Sequence, residues 1–285
     1  MGAYGLLGSS LSRRLVDSGY LVFRQGRRDN AEICIDPLTV DSLRSVIATH
    51  RIDVVVNLIA LTNVDQCEAE PQSAYKVNVQ VVDALIHAIR DRSNDIALHL
   101  VQISTDQVYD GKGPHIEKNV NPCNVYALSK LHGESVASRV GATIIRTNFF
   151  GRSYSAGRDS LSDWIVQSLR AGKKITVFDD VLFSALHIET LCTGIELAIC
   201  RRHPGIFNLG CKDGASKAKF ALSLAERLGL DRGLMSIGRM EDIKLLARRP
   251  VDMRMDCTHF ESVFDYLTPS FESQIELTAE EYLDA

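Results

Sequence analysis

The feature that most constrains this chain is an alternation. Short apolar runs, "DVVVNLIA" (53–60), "IALHLVQIS" (96–104) and "ATIIRT" (142–147), are separated by longer stretches whose apolar residues recur at helical spacing. An unbroken apolar run is the pattern of a strand covered on both faces. Such strands joined by helices require parallel pairing, right-handed crossovers and helices on both sides of the sheet. The reading is therefore an α/β fold with a doubly wound parallel sheet. Helices are predicted over 6–18, 39–50, 68–92 and 125–139, and "YLVF" (20–23) and "EICID" (32–36) are read as two further strands.

After residue 150 the rhythm changes. Helical patterns at 160–171, 189–200 and 216–228 mix with strand-like "KITVF" (174–178) and "GIFNLG" (205–210). The tail from about Met240 is charged and reads as irregular. This predicts a nucleotide-binding domain over 1–150 and a smaller C-terminal α+β substrate lobe over 151–285. No Gly/Ser/Pro-rich linker separates them, so the two are expected to interlock.

Composition narrows the function. The 285 residues, 45 % hydrophobic and 24 % charged, suffice for a large core. A formal charge of −4 with dispersed Lys and Arg argues against a nucleic-acid face. No apolar run nears the ~20 residues of a membrane helix, and Arg13 and Arg14 interrupt the first apolar stretch, so neither a membrane span nor a secretory leader is expected. Seven scattered cysteines without a Cys-x-x-Cys read as reduced thiols in a cytoplasm. The eight histidines show no metal-ligand spacing, and no metal is expected.

The chemistry-bearing stretches begin with "MGAYGLLG". Gly2, Gly5 and Gly8 precede a helical pattern, and glycine permits the positive φ and close approach that a phosphate cradle needs. The same spacing also occurs in plain turns. About twenty residues on, where a dinucleotide fold reads the adenosine ribose, the chain has "RQGRRDN" (24–30). Arg24, Arg27 and Arg28 there favour a 2′-phosphate, hence NADP(H) over NAD(H), or else form a solvated basic loop.

In "YALSK", Tyr126 and Lys130 stand four apart on a predicted helix and share a face. A nearby ammonium is expected to lower the tyrosine pKa toward proton transfer at a carbonyl or alcohol. A Tyr–Lys pair on a wet helix face is the plainer alternative. Upstream, Ser104 and Thr105 end a buried strand, where ligands of open α/β sheets bind. The strand before it ends at the small Ala60, which would admit a cofactor ring.

Taken in order, the glycine turn, "VNLIALTNVDQCEAEP" (56–71), "STDQVYDG" (104–111), "PCNVYALSKLHGE" (122–134), "IIRTNFFG" (144–151), "GIFNLG" and "RRPVDMRMD" (248–256) resemble the extended short-chain dehydrogenase/reductase family, and within it the dTDP-4-dehydrorhamnose reductase group. The resemblance spans nearly the whole chain. It implies a Rossmann-like fold and reduction of the 4-keto group of a nucleotide-linked deoxysugar by NAD(P)H. Tyr126 would be the proton donor, with Lys130 on the nicotinamide ribose and Thr105 on the substrate oxygen beside Ser104 and Asp106. Gly2, Gly5, Leu6, Leu7 and Gly8 would line the pyrophosphate. Asp36 would approach the adenine, Ala60 and Leu61 would flank the ribose and nicotinamide, and Phe149 would pack on the sugar. Sugar-nucleotide dehydratases resemble "TDEVYG"; here Gln107 stands in place of the glutamate and cannot act as a base.

Other readings remain open. A sugar-nucleotide epimerase is one. A non-catalytic NADP-binding protein similar to the regulatory subunit of methionine adenosyltransferase is another. A homodimer is also compatible with the pattern. His187 is read as structural, Trp164 and Phe178 as lobe core, Asp179 and Asp180 as a turn, and Arg248 and Arg249 as phosphate contacts or a solvated loop. Finally, only Met1 precedes Gly2, where a doubly wound sheet places its first strand. The first β-strand is thus expected to be missing from this sequence, with a short Val/Ile/Leu-rich strand belonging ahead of Gly2.

Overall fold

The computed structural model describes residues 1–27, 31–90, 98–155 and 157–283. In chain order the first part contains α1 (Leu6–Asp17), β1 (Gln25–Gly26), β2 (Ile33–Cys34), α2 (Val40–Thr49), β3 (Val54–Asn57), α3 (Val64–Ala69), α4 (Pro71–Tyr75), a π-helical turn (Lys76–Gln80) and α5 (Val81–Arg90). There follow β4 (His99–Thr105), α6 (Val125–Ala137), β5 (Thr143–Thr147) and β6 (Phe149–Phe150). The second part has α7 (Leu161–Arg170), β7 (Ile175–Phe178), β8 (Leu182–Phe183), β9 (Leu186–His187), α8 (Ile188–Arg201), β10 (Gly205–Leu209), β11 (Ala215–Ser216) and α9 (Lys217–Arg227). It closes with β12 (Met235–Gly238), β13 (Asp252–Met253), α10 (Thr258–Phe264) and α11 (Phe271–Leu283).

The main sheet is parallel, in the order β10-β5-β4-β3. Its strands are apolar on both faces because both are covered. On β4 and β5, Leu100 and Ile144 enter a core with Leu43, Ile47, Leu85 and Val136 of α2, α5 and α6. Val101, Ile103 and Ile145 enter the opposite core with Leu7, Leu11 and Leu15 of α1 and Leu191, Ile195 and Ile199 of α8. β10 comes from the second part of the chain, so the two parts share this sheet.

β1 and β2 form a separate parallel pair. Residues 1–3 join it to the main sheet: the Met1 amine donates to the Val56 carbonyl (2.7 Å), Leu58 N–H donates to Met1 O (3.1 Å) and Ala3 N–H donates to Gln25 O (3.0 Å). The expected strand over 20–23 does not form, and pairing starts only at Gln25. A strand is defined by its neighbours, and at 20–23 the side facing β3 meets a cavity instead of a partner.

Three further expectations are corrected. The single helix over 68–92 is broken at Glu70, whose φ of −130° and ψ of 67° leave the helical region before Pro71; residues 91 and 92 lie outside the described residues. The tail is not irregular. Phe260 and Phe264 on α10, and Phe271, Ile275 and Ala279 on α11, recur every four residues and are buried. Trp164 is 43 % exposed on α7 and does not join the lobe core. That core instead gathers Phe150, Phe183, Phe220 and Phe271, with Phe150 and Phe220 stacked at 4.3 Å between ring centroids. No helix among the described residues is long and apolar enough to cross a membrane.

Candidate active site

The carboxyl ends of β3, β4 and β5 converge on one face, where the glycine turn and α6 also lie. Gly2 has φ +75°, which only glycine adopts without strain. Gly8 sits in the first turn of α1, packed against the chain: a Cβ there would sit 2.3 Å from Gly2 O and 2.8 Å from the Ala3 backbone. Gly5 is the N-cap of α1 and, having no side chain, leaves the first N–H groups without a side-chain cap. Leu7 is buried in the sheet-facing core and Leu6 packs at its edge.

α6 starts where two acceptors meet its free N–H groups. The Asn124 side chain takes Ala127 N–H (2.8 Å) and the Glu68 carboxylate takes Val125 N–H (3.0 Å). This anchoring brings Tyr126 and Lys130 onto the end of β4. Both are almost fully buried, at 6 % and 5 % exposure. Thr105, also buried, stands beside Tyr126 at the end of β4. The Lys130 ammonium donates to the Ile103 carbonyl (2.7 Å).

Burial pushes the Tyr126 phenol above its ordinary pKa, Thr105 pulls it down, and Asp106 and Cys67 add to the rise. The expected lowering is therefore reversed in this state. Val64, Cys67, Ala74 and Ala247 enclose the ring and exclude water, and Lys130 faces Ile103. Burial also lowers Lys130 to about 8, opposed by Glu134. Asp106, 1 % exposed, rises to about 7 through burial, against the Asn148 amide, the Lys217 charge and Thr105. Asn148 donates to Asp106 Oδ2 at 2.7 Å.

The other expected residues fall at varied distances from this centre. Ser104 is buried and donates to Glu134 inside the core. Ala60 and Leu61 lie half-buried on the loop after β3, and Leu61 N–H donates to Asn78 Oδ1 (2.8 Å). Phe149 is half-buried on β6, just past β5. Asp36 is exposed and accepts Leu38 N–H (3.0 Å), closing a turn. Arg27 is exposed, whereas Arg28 lies outside the described residues. Arg24 has a buried Nε without a partner among the described residues. Arg248 and Arg249 pair with Asp110 (2.6 Å) and Asp65 (2.8 Å).

Several residues that build the site were not singled out from the sequence. Asn78, in the π-helical turn, holds Leu61 and donates to Ser129 Oγ (2.9 Å) on α6. Glu134 and Arg146 form an ion pair with each side chain 2 % exposed, and Arg146 donates to Tyr109 (2.8 Å). This network ties α6 to β4 and β5. One signal was available: Glu134 follows Lys130 by four residues on the same helix face.

A parallel, doubly wound sheet with a glycine turn and a Tyr-x-x-x-Lys helix at its carboxyl ends defines a Rossmann-like protein of the short-chain dehydrogenase type. The chain belongs to the RmlD substrate binding domain family, whose profile matches residues 1–283. A dTDP-4-dehydrorhamnose reductase of Sinorhizobium fredii is 30 % identical over 236 residues, 77 % of this chain and 77 % of that protein. A hypothetical dTDP-4-dehydrorhamnose reductase from Sulfolobus tokodaii is 29 % identical, with a TM-score of 0.78 over 92 % of both chains. The dTDP-4-dehydrorhamnose reductase of Bacillus anthracis in complex with NADP superposes with a TM-score of 0.85 at 22 % identity, over 100 % of this chain and 97 % of that one, which speaks to the fold.

Proposed function

We propose that this chain is an NADPH-dependent reductase of the 4-keto group of a nucleotide-linked deoxysugar, acting in the cytoplasm. Residues 1–150 take the cofactor and residues 151–285 the sugar nucleotide. The observation that carries the reading is the burial of Tyr126 and Thr105 together at the end of β4, with Lys130 on the same helix face as Tyr126 and donating to Ile103 O. The relatives named dTDP-4-dehydrorhamnose reductase support it.

The residues present fit the cofactor. The uncapped N-terminus of α1, beside Gly2 and Gly5, suits a pyrophosphate. The unpartnered Arg24 Nε suits a 2′-phosphate. The cofactor supplies the hydride when bound. Tyr126 gives its phenolic proton to the carbonyl oxygen, and Thr105 holds that oxygen by a hydrogen bond. Lys130 spends one of its three N–H donors on Ile103 and keeps two for ribose hydroxyls. Asp106 and Asn148 brace Thr105. Phe149 offers a half-buried ring to the sugar.

The test is NADPH and NADH consumption against a panel of nucleotide-linked 4-keto sugars. Tyr126→Phe is expected to lower turnover ~10²–10⁴-fold with cofactor binding retained. Turnover close to that of the parent would remove Tyr126 as proton donor. Cofactor binding by the parent without turnover on any sugar would favour the regulatory reading.

A further inference from the structure

The turn that follows Thr105 holds a buried acceptor without a donor among the described residues. β4 ends at Thr105, whose hydroxyl oxygen accepts Gln107 N–H (3.2 Å) and starts a 3₁₀ turn over Asp106–Val108. Asp106 and Val108 are buried, at 1 % and 0 % exposure, and Gln107 between them is half-buried. The turn packs against α6, the helix of Tyr126 and Lys130, and against β13. The Gln107 side-chain oxygen, Oε1, is closed off from solvent and has no hydrogen-bond partner among the described residues.

The polar side chains around it are engaged. Asp106 accepts from Asn148 (2.7 Å), and Tyr109 donates to Asn208 (2.6 Å). Asp110 accepts from Arg248 (2.6 Å) and from Val251 N–H (3.2 Å). Gln107 is the exception in this stretch. A buried carbonyl oxygen without a donor is unfavourable, and native folds leave few of them. Sites that read a substrate hydroxyl are built this way, because a ligand lacking the donor leaves the acceptor unpaired. An amide oxygen accepts a hydrogen bond without taking the proton, whereas a carboxylate in its place could act as a base.

We propose that Gln107 is a specificity residue of the candidate active site: its Oε1 accepts a hydrogen bond from a hydroxyl on the ring carbon next to the carbonyl that is reduced. The placement follows from Thr105. Its Oγ1 is the proposed holder of the reacting oxygen and already binds Gln107 N–H, so the Gln107 side chain departs close to that oxygen's place. In a 4-keto-6-deoxy sugar the two carbons flanking the carbonyl differ. One carries the ring oxygen and the methyl group, and the other carries the 3-hydroxyl. The donor that Gln107 reads is therefore the 3-hydroxyl. This assignment rests on the reductase reading and adds the substrate class to it: 4-keto sugars that keep the 3-hydroxyl, in preference to 3-deoxy ones.

The probes are dTDP-4-dehydrorhamnose, or whichever 3-hydroxylated 4-keto sugar of the panel above the parent reduces, and the matching 3-deoxy analogue. NADPH consumption is followed with the parent, Gln107→Met and Gln107→Glu. Methionine matches glutamine in length and has no oxygen, and glutamate keeps an acceptor in either protonation state. The parent is expected to favour the hydroxylated sugar in kcat/KM by at least ~10-fold. In Gln107→Met that preference is expected to shrink to within ~3-fold, through loss on the hydroxylated sugar alone. Its kcat/KM on the 3-deoxy analogue should stay within ~3-fold of the parent's, which also shows that the variant is folded. Gln107→Glu is expected to keep the preference. An unchanged preference in Gln107→Met, equal losses on both sugars, or a glutamate variant that behaves like the methionine one each overturn the Gln107 assignment and leave the reductase reading standing. A parent without preference does the same. A parent that reduces no sugar of the panel overturns the reductase reading, and the Gln107 assignment falls with it.

Discussion

Asp106 lies one residue beyond Thr105, 1 % exposed, with its carboxylate held by Asn148 and near the charge of Lys217. Burial raises its pKa from the ordinary 3.8 to about 7. The folded protein therefore holds this proton more tightly than the unfolded chain. The stability this supplies is complete below pH ~4 and is lost as the pH rises through about 7. Asp106→Asn, which cannot ionise and can still accept from Asn148, should be nearly neutral at pH 4. By pH 8 it should be more stable than the parent by up to ~4 kcal/mol. Urea unfolding of both proteins across that range checks the sign. A variant that gains nothing with pH would show that the parent carboxylate ionises without cost in the fold.

At the scale of the element, α1 and α6 are fixed by different means. α6 is tied by side chains: Asn124 and Glu68 at its start, Glu134 to Arg146 and Ser104 further along. α1 relies on close backbone approach at Gly8, where no side chain fits without displacing residues 2 and 3. Gly8→Ala is expected to cost about 1–3 kcal/mol of stability. It should also weaken NADPH binding at least ~10-fold, because the displaced turn no longer presents its N–H groups. Isothermal titration with matched thermal unfolding checks both. Wild-type affinity in a destabilised variant would separate the turn from the cofactor site. The helix-period pattern of α1 and α6 was legible in the sequence. The break at Glu70 and the helices of the tail were not, since charged positions masked the fourfold spacing of Phe260, Phe264, Phe271 and Ile275.

Across the whole molecule, the second part of the chain both completes the sheet and covers the centre. β10 extends the sheet beside β5, and the segment 243–251 passes over Tyr126, with Ala247 1 % exposed against it. Asp65 latches that segment by accepting from Ala247 N–H (3.0 Å) and Arg249 (2.8 Å). These bonds hold its carboxyl below the usual range, the Ala247 bond most of all. Asp65→Ala should speed limited proteolysis within 243–251 several-fold and shift the unfolding midpoint by less than ~2 °C, as an exposed latch contributes little to global stability. Unchanged cleavage would mean that the packing of Ala247 holds the segment without the latch.

The sequence by itself determined the parallel α/β architecture, through apolar runs that need cover on both faces. It also singled out the residues proposed for the centre, because Gly2, Gly8, Thr105, Tyr126 and Lys130 stand in local spacings that suggest their chemistry. What only the tertiary structure decided are the partners and the charge states. Ser104 looked available to a ligand but is engaged by Glu134, thirty residues away. Lys130 faces Ile103, and Tyr126 is raised by side chains drawn from three distant segments. The strand expected at 20–23 failed to form for the same reason: its pattern is local, but a ladder needs a neighbour, and the side toward β3 opens on a cavity.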